Sequence, residues 1–109
     1  MKMVIAIVQD DDALDLLDAL TEKKFGVTKL ATTGGFLKSG NTTLMIGVDK
    51  ERVKDVIDII KDVCQKRKEV ISSPSPLTGT PGVYMQYPIE VEVGGAAIFV
   101  IDVDQFLRV

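Results

Sequence analysis

Apolar and polar positions alternate between two periods along this chain. From Met3 to Val8 every residue is apolar and four of the six are β-branched, the pattern of a strand covered on both faces. Asp10, Asp11 and Asp12 follow, and acidic residues suit the start of a helix as caps and as charges near its N-terminus. Ala13, Leu16, Leu17 and Leu20 then recur at helical spacing, with Asp15, Asp18, Glu22 and Lys23 on the other sides. Gly26 is placed to end that helix in the left-handed conformation. A second strand is expected from Val27 to Thr33, a glycine-rich loop over 34–41, and a third strand from Thr42 to Val48. Asp49 can cap a second helix, whose apolar stripe is Val53, Val56, Ile57, Ile60 and Val63. Lys66, Arg67 and Lys68 suit its C-terminal end, and Glu69 to Ser72 reads as a fourth strand.

The order β-α-β, loop, β-α-β predicts an α+β, ferredoxin-like sandwich: one antiparallel sheet with two helices on one face. The other face then needs cover, and a further copy of the chain is the economical one. Ser73 to Gln86 is rich in Pro, Ser, Thr and Gly and reads as a long loop. Ile89, Val91 and Val93 alternate with Glu90 and Glu92. Gly94-Gly95 is a two-residue hairpin signal, so Ala96 to Ile101 is expected to return as the partner strand. The tail, Asp102 to Val109, is expected to form a short turn or helix.

Length and composition narrow the classes. A chain of 109 residues with 46% hydrophobic and 27% charged residues fits one globular domain, residues 1–109. No run reaches the ~20 apolar residues of a membrane span. The acidic triplet after the first apolar run stands where a secretory signal would place small residues, and the single cysteine, Cys64, forms no internal disulfide. Both point to the reducing cytoplasm. There is no histidine, so the commonest general base and metal ligand are missing. A net charge of −3 disfavours DNA or RNA polymers but permits a small anionic ligand held by a local cluster.

No catalytic constellation emerges. Asp10 to Asp12 read as helix-capping residues, since three consecutive side chains diverge too far for a metal site. Cys64, beside the apolar stripe of the second helix, reads as packing. The segment from Thr28 to Gly47, TKLATTGGFLKSGNTTLMIG, is different. It gathers the hydroxyls of Thr28, Thr32, Thr33, Ser39, Thr42 and Thr43, glycines that let backbone N–H groups approach an anion, and two lysines. Phe36 and Leu37 stand in an otherwise polar loop. Either a base stacks on Phe36 or its ring tucks back onto the sheet. Asn41 carries an amide able to read a base edge. Neither a Walker nor a dinucleotide spacing occurs.

The stretches MVIAIVQD, VTKLATTGGFLKSGNTTLMIGV and YPIEVEVGGAAIFVIDVDQF resemble the cyclic-di-AMP receptors of the PII-like superfamily. That resemblance implies a homotrimeric, ferredoxin-like receptor that binds cyclic di-AMP between subunits, without turnover or cofactor, and signals to a protein partner through its loops. Residue by residue, it implies that Thr28 contacts a phosphate, Phe36 and Leu37 contact adenine, Asn41 reads adenine, and Gly47 offers its backbone. It implies Gly35 and Phe99 as walls of the site. Members often carry arginine where this chain has Gly26, and Lys29 or Arg108 are the cations that could replace it. The alternatives are a PII-type adaptor responding to ATP or ADP, for which only scattered lysines are available, and a small enzyme on the same scaffold, for which no nucleophile–base pair is visible.

Overall fold

A computed structural model describes residues 1–31, 40–76 and 84–109, with side-chain surroundings for 1–30, 40–70 and 89–109. Strands β1 (Lys2–Gln9), β2 (Val27–Ala31), β3 (Asn41–Val48) and β6 (Ala96–Asp102) form an antiparallel sheet in the order β2-β3-β1-β6. Helices α1 (Asp10–Glu22) and α2 (Val53–Val63) cover one face, a short 3-10 turn leading into α2. The fold is α+β and ferredoxin-like, as the pattern predicted. Its core is Val4, Ala6 and Val8 of β1 and Leu44, Ile46 and Val48 of β3 against Leu16, Leu20, Val56 and Ile60 of the helices.

The second half of the chain departs from the expectation in two ways. The strand after α2 does not complete the sheet. β4 (Arg67–Pro76) pairs instead with β5 (Tyr84–Val93) as a separate two-stranded ribbon. The place beside β1 goes to β6. Gly94-Gly95 is therefore no hairpin turn between β5 and β6. With φ of +88° and +91°, it is the corner where the chain leaves the ribbon for the sheet, a conformation glycine adopts without steric cost. Correspondingly, Ser73 to Gln86 is not one long loop, since β4 runs on to Pro76 and β5 begins at Tyr84.

Three prolines are tolerated there for a physical reason. Ser72 faces Pro88, Pro74 faces Gln86 and Pro76 faces Tyr84, so all three share one parity of the ladder. That parity must be the one whose N–H groups point away from the partner strand, where proline removes no ladder bond. Missing outward donors also blunt the ribbon's edges against adding another strand.

Two smaller corrections concern caps. The left-handed residue after α1 is Lys24, at φ +66°, not Gly26. Lys24 N–H donates to the Thr21 carbonyl (2.9 Å) and Phe25 N–H to that of Leu20 (3.0 Å), a Schellman closure whose apolar residue, Phe25, is buried. Asp10 to Asp12 lie in the first turn of α1 and form no side-chain cap; Gln9 holds the cap position. The tail after Asp102 is irregular rather than helical.

Candidate ligand-binding site

Antiparallel ladder partners point to the same face of a sheet. Thr28 faces Met45; Met45 also faces Ile5, and Ile5 faces Phe99. Asn41, Thr43, Met45 and Gly47 alternate along β3 with the helix-covered Thr42, Leu44, Ile46 and Val48. Thr28, Asn41, Gly47 and Phe99 therefore all lie on the face opposite the helices. Among the described residues much of that face is open: Leu30, Phe99 and Ile101 are each 41–48% exposed. Gly35, Phe36 and Leu37 lie outside the described residues.

Within this face the four residues are not all neighbours. Thr28 and Gly47 line a common cleft of about 410 Å³ with Gly26, Met45, Phe106 and Arg108, at the low end of the size of small-molecule sites, ~300–1,000 Å³. Asn41 is six positions up β3 from Gly47, roughly 20 Å at the rise of a strand. Phe99 is two strands from β3, roughly 10 Å from Met45. Asn41 is also only 1% exposed, so its own chain already encloses it. The chain thus presents separate candidate regions on one face.

The cleft has the chemistry of an anion and a flat apolar group. Thr28 supplies a hydroxyl, Arg108 a guanidinium, and Met45 and Phe106 apolar walls. At Gly47 an added side chain would meet only the terminal methyl of Met1, 2.9 Å away, so its backbone is open to close approach. Of the two cations considered as replacements at Gly26, Lys29 pairs with Leu44 and lies on the other parity of β2. Arg108 lines the cleft. The tail that delivers Arg108 and Phe106 is tied to the residue before β1 by a bond from Val103 N–H to the Met1 carbonyl, 3.1 Å; its irregular course has no periodic signature in the sequence.

At the Asn41 end, buried polar groups interlock. Thr42 Oγ1 donates to the Asp10 carboxylate at 2.6 Å. Asp12, 3% exposed, takes two contacts from Arg67, at 2.8 and 3.5 Å. The Asp12 hydrogen bond holds the Arg67 guanidinium proton still more firmly than usual. Burial, and then the Asp12 charge, push the Cys64 thiol up to about 12, against a smaller opposing pull from Arg67. Such a thiol is inert packing. The three aspartates therefore divide: two make tertiary ties and Asp11 is exposed. Among the described residues no three of Cys, Asp or Glu approach closely enough to hold a metal ion, and no helix is long and apolar enough to cross a membrane.

The cyclic-di-AMP receptor family model matches residues 1–109, the whole chain. The chain belongs to the cyclic-di-AMP receptor family. The crystal structure of a functionally unknown protein from Pediococcus pentosaceus ATCC 25745 is similar to this family member at 50% identity. It superposes with a TM-score of 0.79 over 99% of this chain and 96% of that one. Membership supports binding of the messenger and implies a binding rather than a catalytic role.

Proposed function

We propose that the chain is a cytoplasmic receptor that binds cyclic di-AMP between subunits of a homotrimer and passes the signal to a protein partner through its loops. The observation that carries this reading is the cleft on the uncovered sheet face, where Thr28, Gly47 and Arg108 converge in a member of a cyclic-di-AMP receptor family. A phosphate sits against the Thr28 hydroxyl and the Arg108 guanidinium, and a charge-assisted hydrogen bond of this kind is about twice as strong as a neutral one. An adenine lies along Met45 and Phe106, with the Gly47 backbone beneath it.

The spacing of the candidate residues supports a shared site. Asn41 is roughly 20 Å from Gly47 along one strand, so a ligand held by both ends draws them from different copies. The exposed Leu30, Phe99 and Ile101 on the same face favour such packing, since a patch of this kind is hidden by association. Gly35, Phe36 and Leu37 complete the adenine contacts in this reading, and no cofactor or metal takes part.

A thermal-shift panel tests it, because a ligand that binds only the folded form raises apparent stability by mass action. Cyclic di-AMP is expected to raise the melting temperature while ATP, ADP and cyclic di-GMP do not. A shift with ATP alone would assign the chain to adenine-nucleotide adaptors instead. Sedimentation equilibrium at micromolar protein is expected to give three times the chain mass; a monomer would contradict the shared site.

A further inference from the structure

Among the described residues the buried polar side chains are Gln9, Asp12, Asn41 and Thr42. All four stand where β1 runs into α1, and their bonds reach in two directions. Towards β3, Gln9 is the ladder partner of Asn41, Asp10 N–H donates to the Gly40 carbonyl at 3.0 Å, and the Asp10 carboxylate accepts from Thr42. Towards the ribbon, the Gln9 side-chain oxygen accepts from Gly94 N–H at 2.6 Å. The Asp12 carboxylate pairs with Arg67 at 2.8 Å. Arg67 opens β4, and its ladder partner is Val93, the residue before Gly94. Both strands of the ribbon are therefore latched at their root by Gln9 and Asp12, in the same short segment whose Gln9 and Asp10 grip the start of β3.

We propose that Gln9 and Asp12 are positioning residues that set the β4–β5 ribbon against the Gly40–Thr42 end of the ligand site, so that occupancy at Asn41 is read out at the ribbon's root. The inference rests on the reading above that the ligand contacts Asn41. Two features make the junction a stiff link. The Asp12 charge is buried, and separating it from Arg67 would leave it without compensation. At Gly94 an added side chain would run into the Gln65 carbonyl and Arg67, so the corner has little room to shift by itself. A displacement of Gly40–Thr42 is thus shared with Gly94 and Arg67 rather than absorbed between them. Because coupling between sites is reciprocal, loosening the ribbon's root also changes ligand affinity.

Amide hydrogen exchange on the full chain, with and without saturating cyclic di-AMP, tests the link. In the wild type, ligand is expected to slow exchange at 67–70 and 89–93 by about fivefold or more, the lower edge of typical coupling. Asp12→Leu combined with Arg67→Met removes the latch without orphaning a buried charge, an exchange that cores often accept. Gln9→Met cuts the Gly94 contact independently and serves if the double variant does not fold. Both are expected to bind cyclic di-AMP by calorimetry while losing the response at the ribbon's root. Binding with an undiminished response in either variant would overturn the link, as would wild-type binding with no response there. If the wild type fails to bind cyclic di-AMP at all, the functional reading falls first and the link with it, a result distinguishable from the other two.

Discussion

Replacing Gly47 by alanine separates folding from binding in one substitution. Gly47 has no positive φ, and the only atom its new Cβ would crowd is the Met1 terminal methyl at 2.9 Å, the free end of a flexible side chain that is 46% exposed. Alanine in a strand regains about 0.5–1 kcal/mol of glycine's excess chain entropy, and moving Met1 aside takes back part of that. Folding stability should therefore change by no more than about 0.5 kcal/mol, the range of surface substitutions. Binding should respond differently. The Cβ projects from the uncovered face into the floor of the cleft shared with Thr28 and Arg108, and an inserted methyl in a close-packed contact costs about 1–3 kcal/mol. That corresponds to about five- to 150-fold weaker binding. Calorimetry with cyclic di-AMP and a melting curve without ligand, on the same preparation, read the two effects. Native affinity in a variant with a native melting temperature would show that this cleft is not where the ligand binds.

Other substitutions probe neighbouring parts of the account. Lys24 holds a left-handed conformation at φ +66°, which costs a non-glycine residue ~1–2 kcal/mol; after glycine's own entropy cost, Lys24→Gly should stabilise by about 0.5–1 kcal/mol. A lower melting temperature would contradict the capping geometry. The Cys64 thiol ionises near 12 when folded but near ~8.5 when unfolded, so its contribution is complete below about pH 8.5 and is lost as pH rises towards 12. Between pH 8 and 10.5 the wild type should lose about 2 kcal/mol or more relative to Cys64→Ala in urea melts; parallel losses would refute the buried thiol's role. Asn41→Ala should weaken cyclic di-AMP binding by ~1–3 kcal/mol. Because Asn41 is buried, it should also lower the melting temperature without ligand, and a variant unchanged in both respects would remove Asn41 from site and core alike.

What was legible in the sequence was whatever local periodicity encodes. Period-two alternation along β3 and the apolar run of β1 place the sheet, and the stripe from Val53 to Val63 places α2 under Leu44 and Ile46. The same alternation puts Thr28, Asn41 and Gly47 on one face. Partner choice between strands was not legible. Gly94-Gly95 has the composition of a hairpin turn, yet the turn geometry serves a corner, because β5 pairs with β4 and β6 pairs with β1 instead. Proline content made Ser73 to Gln86 read as loop, whereas proline spacing at 74, 76 and 88 matches one ladder parity, a relation visible only once the register is known. Glycine is the commonest left-handed residue, which points to Gly26 as the helix terminator, yet the left-handed residue that follows α1 is Lys24, two positions earlier. Arg108 could be nominated by its charge but placed only by the path of the tail across Met1.

The most direct test of the central claim is a calorimetric titration of the full chain with cyclic di-AMP, repeated with ATP. Saturable binding of one cyclic di-AMP per chain, weakened by Gly47→Ala, is expected, with no saturable heat from ATP. Absence of binding at millimolar cyclic di-AMP, or saturation by ATP instead, would contradict it.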